Sequence, residues 1–348
     1  MLLAMTRGGW LCRGLALGLL LSAVSAVSAV SARAACKIAQ LAELHVDRVN
    51  NRPFVDGQIN GEPVRILLDT GSADSFMSGG AARRLKLSLR DSNRTYRGVN
   101  GETRVQFAVV DHLQIGRFKA DDLLFHVTAP KVGEKPDEIG FVLGANFFWH
   151  FATEFDLAHG VVRLLQPIDC KPEQLVYWDQ SYFLATTEFM TSDDPWIITH
   201  VVVNGVRLRA LLDSGASTSS ISTIAARQAG ITVDSPGVVP STPVVGWAAQ
   251  PLPTWIARFD TFSVGNETIR NARIRMGDLF GADRDSSTGS HIAQASNEMP
   301  DLILGEDFLQ SHRVVVLPHE RAALFTYNGG TVFQLVRPNE TAGTDDGK

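Results

Sequence analysis

Short apolar runs rich in Val, Ile, Leu, Phe and Thr recur along the chain, each closed by Gly, Asn or Asp. Runs of that length between turn residues predict a mostly β protein. Asn60-Gly61 and Asn204-Gly205 each sit between two apolar segments, the strongest short-range hairpin signal. The strands leaving them, Val64–Leu68 and Leu208–Leu212, are apolar at nearly every position, which implies burial on both faces. Helix is expected only briefly, at Gly79–Leu85 and Thr223–Ala229, where Ala and Arg accumulate. The stretch Gln166–Pro195 is polar and broken by Pro167, Pro172 and Pro195, so it reads as a linker. Gly277–Met299 reads as a long surface loop, and the residues after Arg337 as a disordered tail.

The pattern is duplicated. At an offset of 144 residues, Ile59–Leu87 aligns without a gap on Val203–Ile231, and 12 of the 29 positions are identical. Two further blocks follow in the same order: Val110–Gly116 answers to Phe259–Gly265, and Phe141–Phe147 answers to Leu302–Phe308. One short match is expected by chance in a chain of 348 residues; three in register describe a whole-domain repeat. That length suits two domains, each able to bury its own core. The expected boundaries are a leader over 1–34, a first lobe over 35–165, a linker over 166–195, a second lobe over 196–336 and a tail over 337–348.

Composition narrows the function. Hydrophobic residues make up 45% and charged residues 20%, which excludes a disordered chain. The net charge of −5, with no clustered basic surface, argues against nucleic acid as a partner. Arg7 and Arg13 precede an apolar stretch that ends at Ala32-Arg33-Ala34, the form of a cleaved export signal. Cleavage there removes three arginines and takes the charge to −8. The mature protein is thus expected to be exported, periplasmic or secreted, and free of the membrane; an uncleaved anchor is the alternative. Cys36 and Cys170 then remain as a pair in an oxidising compartment, a candidate disulfide worth about 3–4 kcal/mol in the chain-entropy model.

The centre of each repeat carries the candidate chemistry: ILLDTGS at Ile66–Ser72 and ALLDSGA at Ala210–Ala216. Each puts an aspartate at the mouth of a buried strand, where it is costly unless hydrogen-bonded or protonated. Two such carboxylates brought together cannot both ionise freely, so one holds a proton while the other acts as base toward water. The glycines Gly71 and Gly215 permit close backbone approach, and the hydroxyls of Thr70 and Ser214 are placed to bond across to the opposite turn. Ser72 is placed to add a bond to Asp69 that its counterpart Ala216 cannot make. No His-Glu-x-x-His spacing, Gly-x-Ser-x-Gly elbow or phosphate-binding loop occurs, so neither metal nor cofactor is expected. His112, His159, His200 and His319 read as surface or strand-end residues, and the six tryptophans as packing, with Trp247 an exception by its flap position.

Leu67–Ser72 with Val142-Leu143-Gly144, and Leu211–Ala216 with Ile303-Leu304-Gly305, resemble the signature of the aspartic proteases, in their retropepsin-like branch. The resemblance covers nearly the whole mature chain. It implies an all-β fold of two β-barrel lobes related by a pseudo-two-fold axis, with an active-site cleft between them. It also implies an aspartic-type endopeptidase in which Asp69 and Asp213 are the catalytic pair and a peptide or protein is the substrate. The family's flap hairpin carries over to Tyr96–Thr103, with Tyr96, Val99, Asn100 and Gly101 at the turn; the matching Val245–Ala249 lacks that turn chemistry and carries Trp247, which implies one working flap. With both halves on one chain, a monomer is expected. A non-catalytic peptide-binding module of the same fold is the alternative, and a dimer in which each half pairs with its copy is a third reading.

Overall fold

The computed structural model describes residues 35–98, 101–128, 140–188, 191, 195–244, 251–278 and 299–333. The expected leader, most of the 277–299 loop and the expected tail lie outside them.

In chain order the first half comprises β1 (Lys37–His45), β2 (Asp47–Arg48), β3 (Pro53–Ile59), β4 (Glu62–Leu68), β5 (Phe76–Ser78), α1 (Gly79–Arg84), β6 (Arg90–Gly98), β7 (Gly101–Ile115), β8 (Phe118–Thr128), β9 (Phe141–Leu143), α2 (Ala145–Phe148), β10 (Ala152–Asp156) and β11 (Val161–Ile168). The second comprises β12 (Phe183–Thr186), β13 (Ile198–Val203), β14 (Val206–Leu212), β15 (Ser220–Ser222), α3 (Thr223–Gln228), β16 (Val239–Val244), β17 (Leu252–Val264), β18 (Glu267–Gly277), β19 (Leu302–Leu304), α4 (Glu306–Ser311), β20 (His312–Leu317) and β21 (Ala322–Tyr327).

Each half closes a six-stranded barrel. The first runs β3-β4-β9-β5-β8-β7 and shuts through the β3–β7 pairing. The second runs β13-β14-β19-β15-β18-β17 and shuts through β13–β17. Closure removes the open sheet edges that would otherwise seek another chain. The hairpins form where Asn-Gly stands: Asn60 and Gly61 take φ of +50° and +82°, and Asn204 and Gly205 take +46° and +84°. Positive φ at both central residues matches the right-handed twist of the flanking strands. α1 and α3 begin where predicted, because the Ser78 and Ser222 hydroxyls accept the Ala81 and Ala225 N–H groups, each at 3.1 Å.

The remaining strands form a third sheet shared by the two halves, in the order β1-β11-β10-β20-β21-β12. The order is a palindrome of equivalent strands. An offset of 161 separates Phe141 from Leu302, and it carries Glu154 onto Val315. Glu154 and Val315 are also directly paired between β10 and β20, so the pseudo-two-fold axis passes through that pair. Cys36 and Cys170 form a disulfide beside the β1–β11 edge of this sheet.

The sheet corrects the reading of 166–195 as a linker. Its first residues continue β11 to Ile168, a 3-10 turn spans Pro172–Leu175, and β12 pairs with β21 from Phe183↔Phe325 to Thr186↔Ala322. The short apolar run Phe183–Thr186 forms the strand, and the edge of β21 supplies its pairing.

Candidate active site

β4 and β14 end one residue before their aspartates, and each aspartate is fixed by the central strand of its own barrel. The Asp69 N–H donates to the Leu143 carbonyl at 2.9 Å and the Asp213 N–H to the Leu304 carbonyl at 2.8 Å. This is the work of the two Leu-Gly blocks. Each carboxylate then closes its own turn. Asp69 Oδ1 accepts from the N–H groups of Gly71 (3.0 Å) and Ser72 (3.1 Å), and Asp213 Oδ1 from those of Gly215 (2.8 Å) and Ala216 (3.0 Å).

The turns are laced to each other. Thr70 Oγ1 donates to the Leu212 carbonyl at 2.7 Å and accepts the Ser214 N–H at 3.0 Å. Ser214 Oγ donates to the Leu68 carbonyl at 2.9 Å and accepts the Thr70 N–H at 3.1 Å. All four bonds are buried, and Thr70 and Ser214 are fully enclosed. A Cβ on Gly71 would collide with the Asp213 carboxylate, and one on Gly215 with the Asp69 carboxylate. Each carboxylate therefore lies over the other turn's glycine. Gly71→Ala and Gly215→Ala should each force the carboxyls apart. A displacement of that kind is expected to lower kcat/KM by about 10²-fold. Peptide hydrolysis by either variant within threefold of wild type would contradict this packing.

Burial raises the pKa of both acids. Asp69 is raised by desolvation, offset by its hydrogen bonds and by the nearby Arg52 charge. Asp213 is raised further, because the Asp69 charge adds to desolvation. The pair thus retains a proton above the usual carboxylate range.

Beneath each turn a serine joins it to the following helix. Ser75 Oγ accepts the Gly144 N–H at 3.1 Å and donates to Asn146 Oδ1 at 2.9 Å. Ser219 Oγ accepts the Gly305 N–H at 2.9 Å and donates to Asp307 Oδ1 at 2.6 Å. Where the first half has Ala145-Asn146, the second has Glu306-Asp307, both acids almost fully buried. Glu306 Oε1 accepts from Gln310 at 2.7 Å, whereas its Oε2 has no partner among the described residues. Desolvation pushes Glu306 up to about 8 and Asp307 up to about 6. The folded state therefore binds these protons more tightly than the unfolded chain, so stability is constant below the unfolded value and falls as pH rises toward the folded one. For Glu306 that window runs from 4.5 to about 8. Glu306→Gln should flatten the decline, gaining several kcal/mol (roughly 4–5 from the full window) relative to wild type at pH 8. Thermal melts with equal slopes from pH 5 to pH 8 would contradict it.

Several sequence expectations need correction. The Ser72 hydroxyl donates to the Asp74 carbonyl at 3.0 Å and not to Asp69; only its main-chain N–H reaches that carboxylate. The Ser72/Ala216 difference therefore does not distinguish the two acids. Arg52 and Trp196 do. They stand 144 residues apart at equivalent positions, and Trp196 Nε1 donates to the Gly71 carbonyl at 2.9 Å while the Arg52 charge acts on Asp69. Trp196 is thus more than packing, and aligning the halves seven residues upstream of Ile59 would have exposed the pair.

The flap hairpins are described in part. β6 and β7 form a hairpin in which Tyr96 pairs with Thr103 and Gly98 with Gly101, so Gly101 already belongs to a strand. Val99 and Asn100 lie outside the described residues. The second half has an equivalent hairpin, in which β16 and β17 pair up to Val244↔Leu252. Trp247 lies outside the described residues, between those strands. One working flap was expected from the missing turn signal; the strand pairing builds two hairpin stems.

Comparison with known proteins agrees with this geometry. A family model described as aspartyl protease matches residues 55–147 and 199–308, more than half of the chain and one block per lobe. No curated protein matches. Among solved structures, a retropepsin-like aspartic protease from Rickettsia conorii is similar over 38% of this chain and 95% of its own, at 18% identity and a TM-score of 0.30. With the signature turn, its supporting Leu-Gly block and the closed barrel all present twice, the chain belongs to the aspartyl protease family as a tandem of two retropepsin-like lobes.

Proposed function

We propose that the protein is an aspartic-type endopeptidase in which Asp69 and Asp213 form one catalytic dyad in a cleft between the lobes. The observation that carries this is the reciprocal bonding of Thr70 and Ser214, which holds the two carboxyls against each other within a single chain. With one proton on the pair, the ionised carboxylate takes a proton from a water molecule as its oxygen attacks the scissile carbonyl carbon. The protonated carboxyl donates to the carbonyl oxygen, giving a tetrahedral diol. Collapse of the diol breaks the C–N bond: as C=O re-forms, one diol hydroxyl returns its proton to the ionised carboxylate, the departing nitrogen takes the proton held by the other carboxyl, and one proton remains shared. The raised pKa of the pair supports this proton inventory from acidic pH upward, and activity is expected to fall once rising pH removes the shared proton.

The wider reading is a monomer, exported after removal of 1–34, acting on a peptide or protein substrate without cofactor or metal. Incubating the mature protein with a diverse peptide mixture from acidic to neutral pH, and sequencing the products, tests the activity. Internal cleavage sites are the expected result. Peptides that remain intact at every pH would overturn the reading and favour a peptide-binding module.

A further inference from the structure

The two lobes carry different charged groups at positions that the duplication makes equivalent. Five residues beyond each catalytic aspartate stand Asp74 and Thr218. Phe76 pairs with His126 in the first barrel and its equivalent Ser220 pairs with Arg275 in the second, so His126 and Arg275 occupy the same barrel position. In the first lobe His126 Nε2 lies 3.7 Å from Asp74 Oδ2, with the histidine side chain 6% exposed and the Asp74 carboxylate 24% exposed. In the second lobe the acid is replaced by a threonine and the histidine by a permanent cation.

Arg275 is 6% exposed, and its described acceptors are neutral. Its Nε donates to Thr218 Oγ1 at 3.3 Å, and its Nη1 to Ser241 Oγ (3.1 Å), the Thr242 carbonyl (2.8 Å) and Thr254 Oγ1 (2.8 Å). Among the described residues no carboxylate ion-pairs with it. Desolvation lowers its pKa and only the more distant Asp307 offsets this, as expected for a buried cation without a counter-ion at contact. These bonds join the catalytic turn, through Thr218, to the stem of the second hairpin, through β16 and β17. Inside a low-dielectric wall an unneutralised guanidinium attracts a carboxylate far more strongly than it would in water.

We propose that the substrate cleft is charge-polarised: the subsite against the second lobe takes an acidic side chain through Arg275, whereas the equivalent subsite against the first lobe, walled by Asp74, disfavours one. This rests on the reading of the site as a peptide-cleaving dyad and adds the class of substrate to it. Because the walls are related by the two-fold axis, the favoured and disfavoured positions fall on opposite sides of the scissile bond. The polarity arises from attraction on one wall and repulsion on the other, which together discriminate more than either alone.

The test uses one cleavable peptide in which Glu or Gln is placed singly at each of several positions on either side of the scissile bond. For wild type, Glu on one side should raise kcat/KM about tenfold over Gln, and Glu on the other side should lower it. Thr218→Asp, which supplies Arg275 with the acid that the first lobe has in Asp74, should bring the favourable Glu/Gln ratio close to one. Arg275→Gln should do the same, and Asp74→Asn should relieve the penalty on the opposite side. Each ratio is taken within one variant, so a general loss of activity does not enter it. The same peptides are titrated against Asp213→Asn by calorimetry, so that the preference is also read without turnover. Cleavage by wild type with Glu/Gln ratios near one at every position would overturn the polarity while leaving the dyad intact. A Glu preference unchanged in both Thr218→Asp and Arg275→Gln would also overturn it. Preferential binding of Glu peptides without any cleavage would overturn the dyad while supporting the polarity, and neither cleavage nor binding would overturn both.

Discussion

Asp69→Asn and Asp213→Asn are each expected to lower kcat/KM by about 10³–10⁴-fold, with the double variant little worse than either single one. The amide is nearly isosteric with the acid, so the turn bonds from Gly71, Ser72, Gly215 and Ala216 to the remaining Oδ1 acceptors can persist. What is lost is the ability of the pair to exchange one proton between a base and an acid. Either substitution removes one of the two roles, and with it the whole cycle, which is why the effects should not add. The protein should remain folded, because Thr70 and Ser214 bond to each other's turn through main-chain groups and hydroxyls alone. Steady-state kinetics on a cleavable peptide, beside circular dichroism melts of all variants, separate chemistry from folding. A single variant that retains a tenth of wild-type activity would end the shared-dyad mechanism.

The second large effect lies far from the chemistry. Glu154 is fully buried on the two-fold axis and anchors a cluster of charged side chains across the shared sheet. Its Oε1 accepts from Arg163 Nη1 and from Arg313 Nε and Nη2, the last two at 3.0 and 2.7 Å, and its Oε2 accepts from the Tyr177 hydroxyl. Asp156 lies 3.8 Å from Arg163 and 3.6 Å from Arg313, too far to replace it. Glu154→Ala strands the Arg313 guanidinium, which is only 16% exposed, and leaves Arg163 with Glu43, at 2.8 Å, as its remaining close acid. Leaving a buried charge without its partner typically costs about 3–5 kcal/mol. Against a total stability of about 5–15 kcal/mol, that loss is a large fraction of what keeps the two halves folded together. Urea titration should show a midpoint shifted far down, and a change below about 1 kcal/mol would mean that the cluster is solvated in solution. Replacing Glu154, Arg163 and Arg313 together by apolar residues is expected to recover much of the loss, since the penalty comes from broken pairing.

The duplication, the two aspartates, their Leu-Gly supports and both Asn-Gly hairpins were legible in the residues because each depends on local chemistry. An Asn-Gly turn takes positive φ wherever it stands, and a buried strand is apolar wherever it is buried. The shared sheet was not legible, because β12 is an edge strand whose pairing comes from β21, more than a hundred residues away. Both flap tips lie outside the described residues, but the stem of the second hairpin, whose sequence carries no turn signal, pairs through a long β17 that the barrel already holds.

The sequence by itself determined that two equivalent acids exist and which residues flank them. Only the tertiary structure decided how the two halves differ. Ser72 and Ala216 seemed to mark the difference, but a hydroxyl follows the nearest free acceptor, and for Ser72 that is the Asp74 carbonyl. The working differences are Arg52 against Trp196, Asn146 against Asp307, and His126 with Asp74 against Arg275 with Thr218. Each is a substitution whose meaning depends on what a barrel strand or a crossing turn places beside it, and on how far burial strips water from its charge. Those are properties of the assembled lobes, and a linear string of residues does not contain them.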